Sequence, residues 1–152
     1  MEYFTNKAEA FYREIRKAEI YAAETVSYLD NFNGVFPAAE NALYVFDVIP
    51  ETFSRKIPTK KKNGNYFFDA DMGFPLLDLK KYNVDKLFSE LNKQGFAVVL
   101  VSNVQKTIVG NDRFPLTVEI IDNIKDDNSG DDEYAISITG ETLIHPKIKD
   151  LL

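Results

Sequence analysis

Two alternating runs, Leu116-Thr117-Val118-Glu119-Ile120 and Tyr134-Ala135-Ile136-Ser137-Ile138-Thr139, flank the loop Asp126-Asp127-Asn128-Ser129-Gly130-Asp131-Asp132-Glu133 and decide the architecture. Successive side chains of a strand point to opposite faces, so a period of two places Leu116, Val118, Ile120, Tyr134, Ile136 and Ile138 in a core and their neighbours in water. The loop between them has no apolar side chain to bury. The segment therefore predicts a long antiparallel hairpin with an acidic, solvated tip.

Working upstream from the hairpin, Phe96 to Ser102 is apolar on both faces, which predicts a central strand. A less regular strand follows through Ile108. Val84 to Gln94 carries Val84, Leu87, Phe88 and Leu91 at helical spacing and is stopped by Gly95, which predicts a short helix. Residues 43–49 read as a strand ended by Pro50, and Phe53, Arg55 and Ile57 alternate into Pro58. In Lys60-Lys61-Lys62-Asn63-Gly64, the Asn-Gly pair supplies the positive φ angles of a tight hairpin turn, and Tyr66 to Ala70 is its returning strand. Asp71 to Tyr82 reads as irregular, and Lys147 to Leu152 as a last turn.

At the N-terminus the spacing predicts a helix over residues 6–30. Asn6 and Glu9 form a capping-box pair, and Asn31 to Gly34 is a stop signal. Phe4, Ala8, Phe11, Ile15, Ala18, Ala22, Val26 and Leu29 recur as one stripe, with Tyr3, Tyr21 and Tyr28 on a line beside it. The tyrosines read either as the rim of one wide buried face or as a second contact surface, since each joins a large apolar body to a polar tip. The expected fold is α+β: a long N-terminal helix plus a mainly antiparallel sheet with one short helix. Residues 1–34 form the helical arm and 35–152 the sheet domain.

The 152 residues suffice for one domain, and the charged share of 28% against 45% hydrophobic rules against wholesale disorder. A net charge of −6 opposes sequence-independent binding to nucleic acid, which needs a cationic surface. Without cysteine the chain has no disulfides, no zinc thiolates and no Cys nucleophile. The N-terminus lacks the plan of a signal peptide, and no apolar run reaches the roughly 20 residues a membrane span needs. The chain is expected to stay on the cytosolic side unless carried out within an assembly.

Chemistry has few places to reside. The single His145 would have to serve any Ser-His-Asp arrangement, and no Gly-rich nucleophile turn accompanies it. Asp69 and Asp71 share one side of a strand end, with Asp78 nearby, and could hold a divalent cation or serve a small metal- or phosphate-dependent enzyme. Lys60, Lys61 and Lys62 could meet phosphate in a nucleic-acid-binding module, or simply charge a hairpin turn against edge-to-edge pairing. The acidic loop departs from an EF-hand, because Gly130 is out of phase and Ser137 stands where a bidentate Glu is needed. It reads as a solvated tip or as a docking point for a basic partner. No cofactor is expected.

The pieces Val101-Ser102, Lys106-Thr107-Ile108-Val109-Gly110, Thr117-Val118-Glu119 and Glu133-Tyr134-Ala135-Ile136-Ser137-Ile138-Thr139-Gly140 carry a family likeness. Over residues 100–143 the chain resembles tail-associated structural proteins of Bacteroidetes phages. It departs from them at Gly110-Asn111-Asp112-Arg113, where that family has a Gly-Arg-Asp-Gly-like turn. The resemblance implies a virion component with no catalytic residues. It would act through protein–protein contacts in a tail, baseplate or head–tail junction, as part of an oligomeric assembly made in a bacterial cytoplasm, with no membrane partner. On that reading Tyr3, Tyr21 and Tyr28 and the loop carboxylates Asp126, Asp127, Asp131 and Asp132 are the candidate contact residues.

Overall fold

The computed structural model describes residues 1–4, 13–77, 79–130 and 133–151. Among these, ten strands form two antiparallel sheets. The first sheet is built from β1 (Ile15–Ala22), β2 (Tyr44–Asp47), β6 (Phe96–Ser102), β7 (Gln105–Val109) and β10 (Lys147–Asp150), in the order β10-β7-β6-β1-β2. The second is built from β3 (Ser54–Lys56), β5 (Asn65–Leu77), β8 (Thr117–Asp122) and β9 (Glu133–Thr142), in the order β3-β5-β9-β8, with β4 (Thr59–Lys62) paired to the start of β5.

The sheets pack face to face over a shared core. Ala18, Ile20, Val98, Leu100 and Val109 come from the first sheet, and Ala70, Met72, Phe74, Val118, Ile136 and Ile138 from the second. Each fully buried aliphatic side chain is worth about 1.5–3 kcal/mol, so this layer holds the fold together. The hairpin of β8 and β9 pairs Val118 with Ile138 and Ile120 with Ile136, placing the alternating apolar set inside. At the turn between β4 and β5, Asn63 and Gly64 have φ of 52° and 81°.

Helix α2 (Lys81–Glu90), extended by a 3-10 turn over Leu91–Lys93, closes one end of the sandwich. Leu87 and Leu91 enter the core there, while Phe88, expected on the same inner face, is exposed, with its ring 6.4 Å from that of Tyr134. The Tyr44 hydroxyl donates to Glu90 and ties the edge strand β2 to this helix.

The expected long N-terminal helix is overturned. Ile15–Ala22 is a strand lying between β6 and β2, and only a 3-10 turn at Ala23–Thr25 and the five-residue helix α1 (Tyr28–Phe32) follow it. The part of the expected helix over residues 6–12 lies outside the described residues. The misreading has a physical source. Opposite Ser102 and Val101, β1 carries an extra residue, Arg16, between Ile15 and Lys17. Such a bulge advances the pleat by one residue, so Ile15 and Ala18 both face the core. The 3-10 turn then adds a second offset before Val26. Ile15, Ala18, Ala22 and Val26 are thus shielded three or four apart, which imitates a helical stripe, although Ile20 is equally buried and Val26 packs on the opposite face of the sheet.

Two smaller corrections follow. β5 continues to Leu77 through Gly73 and Pro75, so the stretch from Asp71 that reads as irregular is strand as far as Leu77. β3 covers β5 only at Asp71–Gly73, so Pro75 lies where that edge is open and an amide proton is dispensable. The C-terminal turn is instead the edge strand β10, paired with β7.

A corner joins the two sheets. β7 ends at Val109, residues 110–115 loop outward, and Leu116 returns to exchange both backbone hydrogen bonds with Phe96 at 2.8 and 2.9 Å before β8 begins. One chain segment therefore passes from the first sheet to the second, as strands do at sandwich corners. Glycine is required beside it. A Cβ on Gly95 would stand 2.4 Å from the Pro115 Cβ, and one on Gly140 2.8 Å from a Leu116 methyl.

Candidate functional site

The far face of the first sheet is covered by residues 23–43, and there polar and apolar side chains are exchanged from their usual places. α1 buries Asn31, 1% exposed, and turns Leu29 (67%) and Phe32 (57%) to solvent, with Val35 (51%) just beyond. Asn31 is inward because the corner loop needs it. The Asn111 amide donates to Asn31 Oδ1 at 3.0 Å, and its own oxygen accepts the backbone N–H groups of Arg113 and Phe114, both at 3.0 Å. Asp112 adds a second clasp, its backbone N–H donating to Val26 and its carboxylate accepting from Tyr28 N–H at 2.7 Å. The Ser27 side chain caps α1 by accepting from Asp30 N–H. The helix is thus fastened by its polar residues, which leaves its apolar ones outward.

The three tyrosines do not form a line. Tyr21 is fully buried on the covered face of β1, where its hydroxyl donates to Glu19; burial and that carboxylate raise its pKa well above the usual phenol value. Tyr28 is half-buried, 6.0 Å from the Phe114 ring, with the Arg113 guanidinium 5.1 Å from its centroid. Tyr3 is 85% exposed.

At the hairpin tip, Asp126 and Asp127 are exposed, while Asp131 and Asp132 lie outside the described residues. The Asp127 carboxylate accepts from the Ser129 hydroxyl and backbone N–H, which hold its pKa below the ordinary carboxylate range. Asn123 N–H donates to Glu133 and closes the base of the tip.

Asp69 and Asp71 share the outer face of the second sheet. Asp69 is engaged by Lys60, Nζ to Oδ2 at 2.7 Å, and Asp78 lies outside the described residues. Among the described residues no three His, Asp or Glu side chains gather as a metal site. Lys60, Lys61 and Lys62 form β4, and Lys61 reaches over the Tyr66 ring. His145 is exposed, edge-on to Phe68.

Sequence reasoning missed a cleft at the end of the sandwich opposite α2. Its volume is about 860 Å³, and Ile15, Phe53, Ile57 and Phe68 form its apolar walls. Arg13, Arg55, Glu14 and Glu51 supply its charge. Arg55 stands opposite Met72, so it shares the inward face of the sheet with that core residue. A signal was present: in Phe53, Arg55 and Ile57 the arginine occupies the apolar register of an alternating run.

No family model, curated protein or solved structure matches the chain. No helix among the described residues is long and apolar enough to cross a membrane.

Proposed function

We propose that this chain is a non-enzymatic assembly component of a phage virion, in the tail, baseplate or head–tail junction, and that it works through protein–protein contacts. The observation that carries this reading is the inverted helix α1. A buried amide and an outward Leu29, Phe32 and Val35 reverse the usual distribution, and exposed apolar clusters of this kind mark contact surfaces. Edge strand β2 adds Val45, which is also exposed and on the same face of the first sheet. The resemblance over residues 100–143 supplies the virion setting. The contact elements are α1 with Val35 and the projecting tip of the β8–β9 hairpin, in place of the helix expected over 6–30.

Purified phage particles labelled with an antibody against this chain test the setting. Label on the tail or its junction supports the reading, and recovery only as free protein outside particles refutes it. Replacing Phe32 and Leu29 with serine tests the surface. The exchange should remove the chain from particles, or dissociate its oligomers in native mass spectrometry, with the melting temperature preserved.

A further inference from the structure

We propose that the cleft between the two sheets is a binding site for a small organic oxyanion, a carboxylate or a phosphate monoester carried on an apolar or aromatic body. The cleft lies apart from α1 and the hairpin tip, and the inference does not rest on the assembly reading.

The charge pattern carries the argument. Arg13 and Arg55 line one cleft, and the ion pair found among the described residues joins Lys60 to Asp69. Neither guanidinium therefore has a salt bridge with Glu14 or Glu51, although both carboxylates line the same space. Arg55 remains an exposed residue, yet the cleft walls withdraw water from its guanidinium and Arg13 adds like charge. Both effects lower its pKa from the arginine value, and neither comes near removing its proton. Two guanidiniums without an ion-pair partner among the described residues share one cleft, and an oxyanion between them would offset their repulsion through charge-assisted, bidentate hydrogen bonds.

The walls define the rest of the ligand. Phe53 is stacked on Phe74 at 6.1 Å and Phe68 is set against His145, so two rings are fixed at the cleft by neighbours outside it. A volume of about 860 Å³ lies within the range of small-molecule sites, and the mouth of a β-architecture is a usual place for one. Glu14 and Glu51 add negative charge to the lining, which disfavours a polyanion and leaves room for a compact anion. Glu51 is held at φ 65° in the turn after Pro50, a backbone conformation costly for a side chain other than glycine.

The test is titration of the full chain with benzoate and with phenyl phosphate, followed by NMR of backbone amides and phenylalanine rings. Inorganic phosphate, tripolyphosphate and neutral benzamide serve as comparisons. Saturable shifts at Phe53, Arg55 and Phe68 are expected with at least one aryl oxyanion, and which of the two binds more tightly assigns the headgroup. Arg13→Gln and Arg55→Gln should each weaken that binding by about tenfold, the size of one charge-assisted hydrogen bond. Arg55→Lys should lie between wild type and Arg55→Gln, and stands in if the glutamine variant fails to fold. Absence of shifts in the cleft, equal binding of benzamide, stronger binding of tripolyphosphate, or unchanged affinity in both arginine variants would each overturn the proposal.

Discussion

Replacing Asn111 with alanine should uncouple the corner loop from α1. The Asn111 side chain is fully buried and makes three hydrogen bonds at 3.0 Å: one to Asn31 Oδ1 and two from the backbone N–H groups of Arg113 and Phe114. A typical hydrogen bond contributes about 1 kcal/mol net, and a buried group left unpaired costs about 1–3 kcal/mol. Asn31 already has an amide nitrogen without a partner, so in the variant its whole side chain would be buried unsatisfied. The expected loss is about 3–4 kcal/mol, a large part of the roughly 5–15 kcal/mol that holds a domain folded. In a chain of this length it lowers the melting temperature by about 6–16 °C. Urea unfolding followed by circular dichroism and tyrosine fluorescence measures it. A loss under about 1 kcal/mol would refute the reasoning, because it would show that water or a rearranged Asn31 replaces all three bonds at little cost. Asn111→Asp is the companion experiment. It keeps the acceptor for the two N–H groups and presents a carboxylate to Asn31, whose amide can turn to donate. It should cost less than alanine unless burial of the charge dominates.

Four further outcomes follow from the same geometry. Phe32→Ser, on the open side of α1, should change the melting temperature little while abolishing association in native mass spectrometry; a loss of stability comparable with that of Asn111→Ala would show that Phe32 serves the fold. Gly95→Ala drives a Cβ onto Pro115 and should destabilise by about 1–3 kcal/mol in urea, as overpacking does; a neutral result would mean that the corner yields. Tyr44 has its pKa pushed up to about 12 by burial and by its hydrogen bond to Glu90. A raised folded-state pKa contributes stability that is complete below the unfolded value near 10 and is lost as pH rises towards 12. Tyr44→Phe should therefore flatten the fall in stability over that window, and an unchanged alkaline profile would sink the assignment; Tyr21 and Lys60, also raised, add to the alkaline slope. Arg55→Leu should raise the urea midpoint of the ligand-free protein, since it removes a guanidinium held against desolvation and repulsion from Arg13; a lower midpoint would show that the guanidinium is not held at electrostatic cost.

Local pattern sufficed wherever one strand face met the core without interruption. Thr117 to Ile120 and Tyr134 to Ile138 alternate and are paired as read, Asn63-Gly64 turns where its positive φ angles demand, and Phe96 to Ser102 is buried between two strands. These features depend on the period of the pleat and on the steric freedom of single residues, which a linear sequence records. The reading of residues 6–30 failed for a reason equally local in origin but visible only in pairing. The bulge at Arg16 has no side-chain signature, and its effect on the facing of Ile15 and Ala18 exists only against Ser102 and Val101. Asn31 and Asn111 likewise look like ordinary turn residues until the corner of the sandwich brings them to 3.0 Å.

By itself, the order of residues determined the hairpins and the central strand, because those follow from side-chain alternation and backbone preference a few positions apart. The packing of two sheets decided the rest: which face of α1 meets water, and that Arg13 and Arg55, remote along the chain, line one cleft. Burial and charge proximity are properties of the assembled layers. No segment carries them until its neighbours across the core are in place.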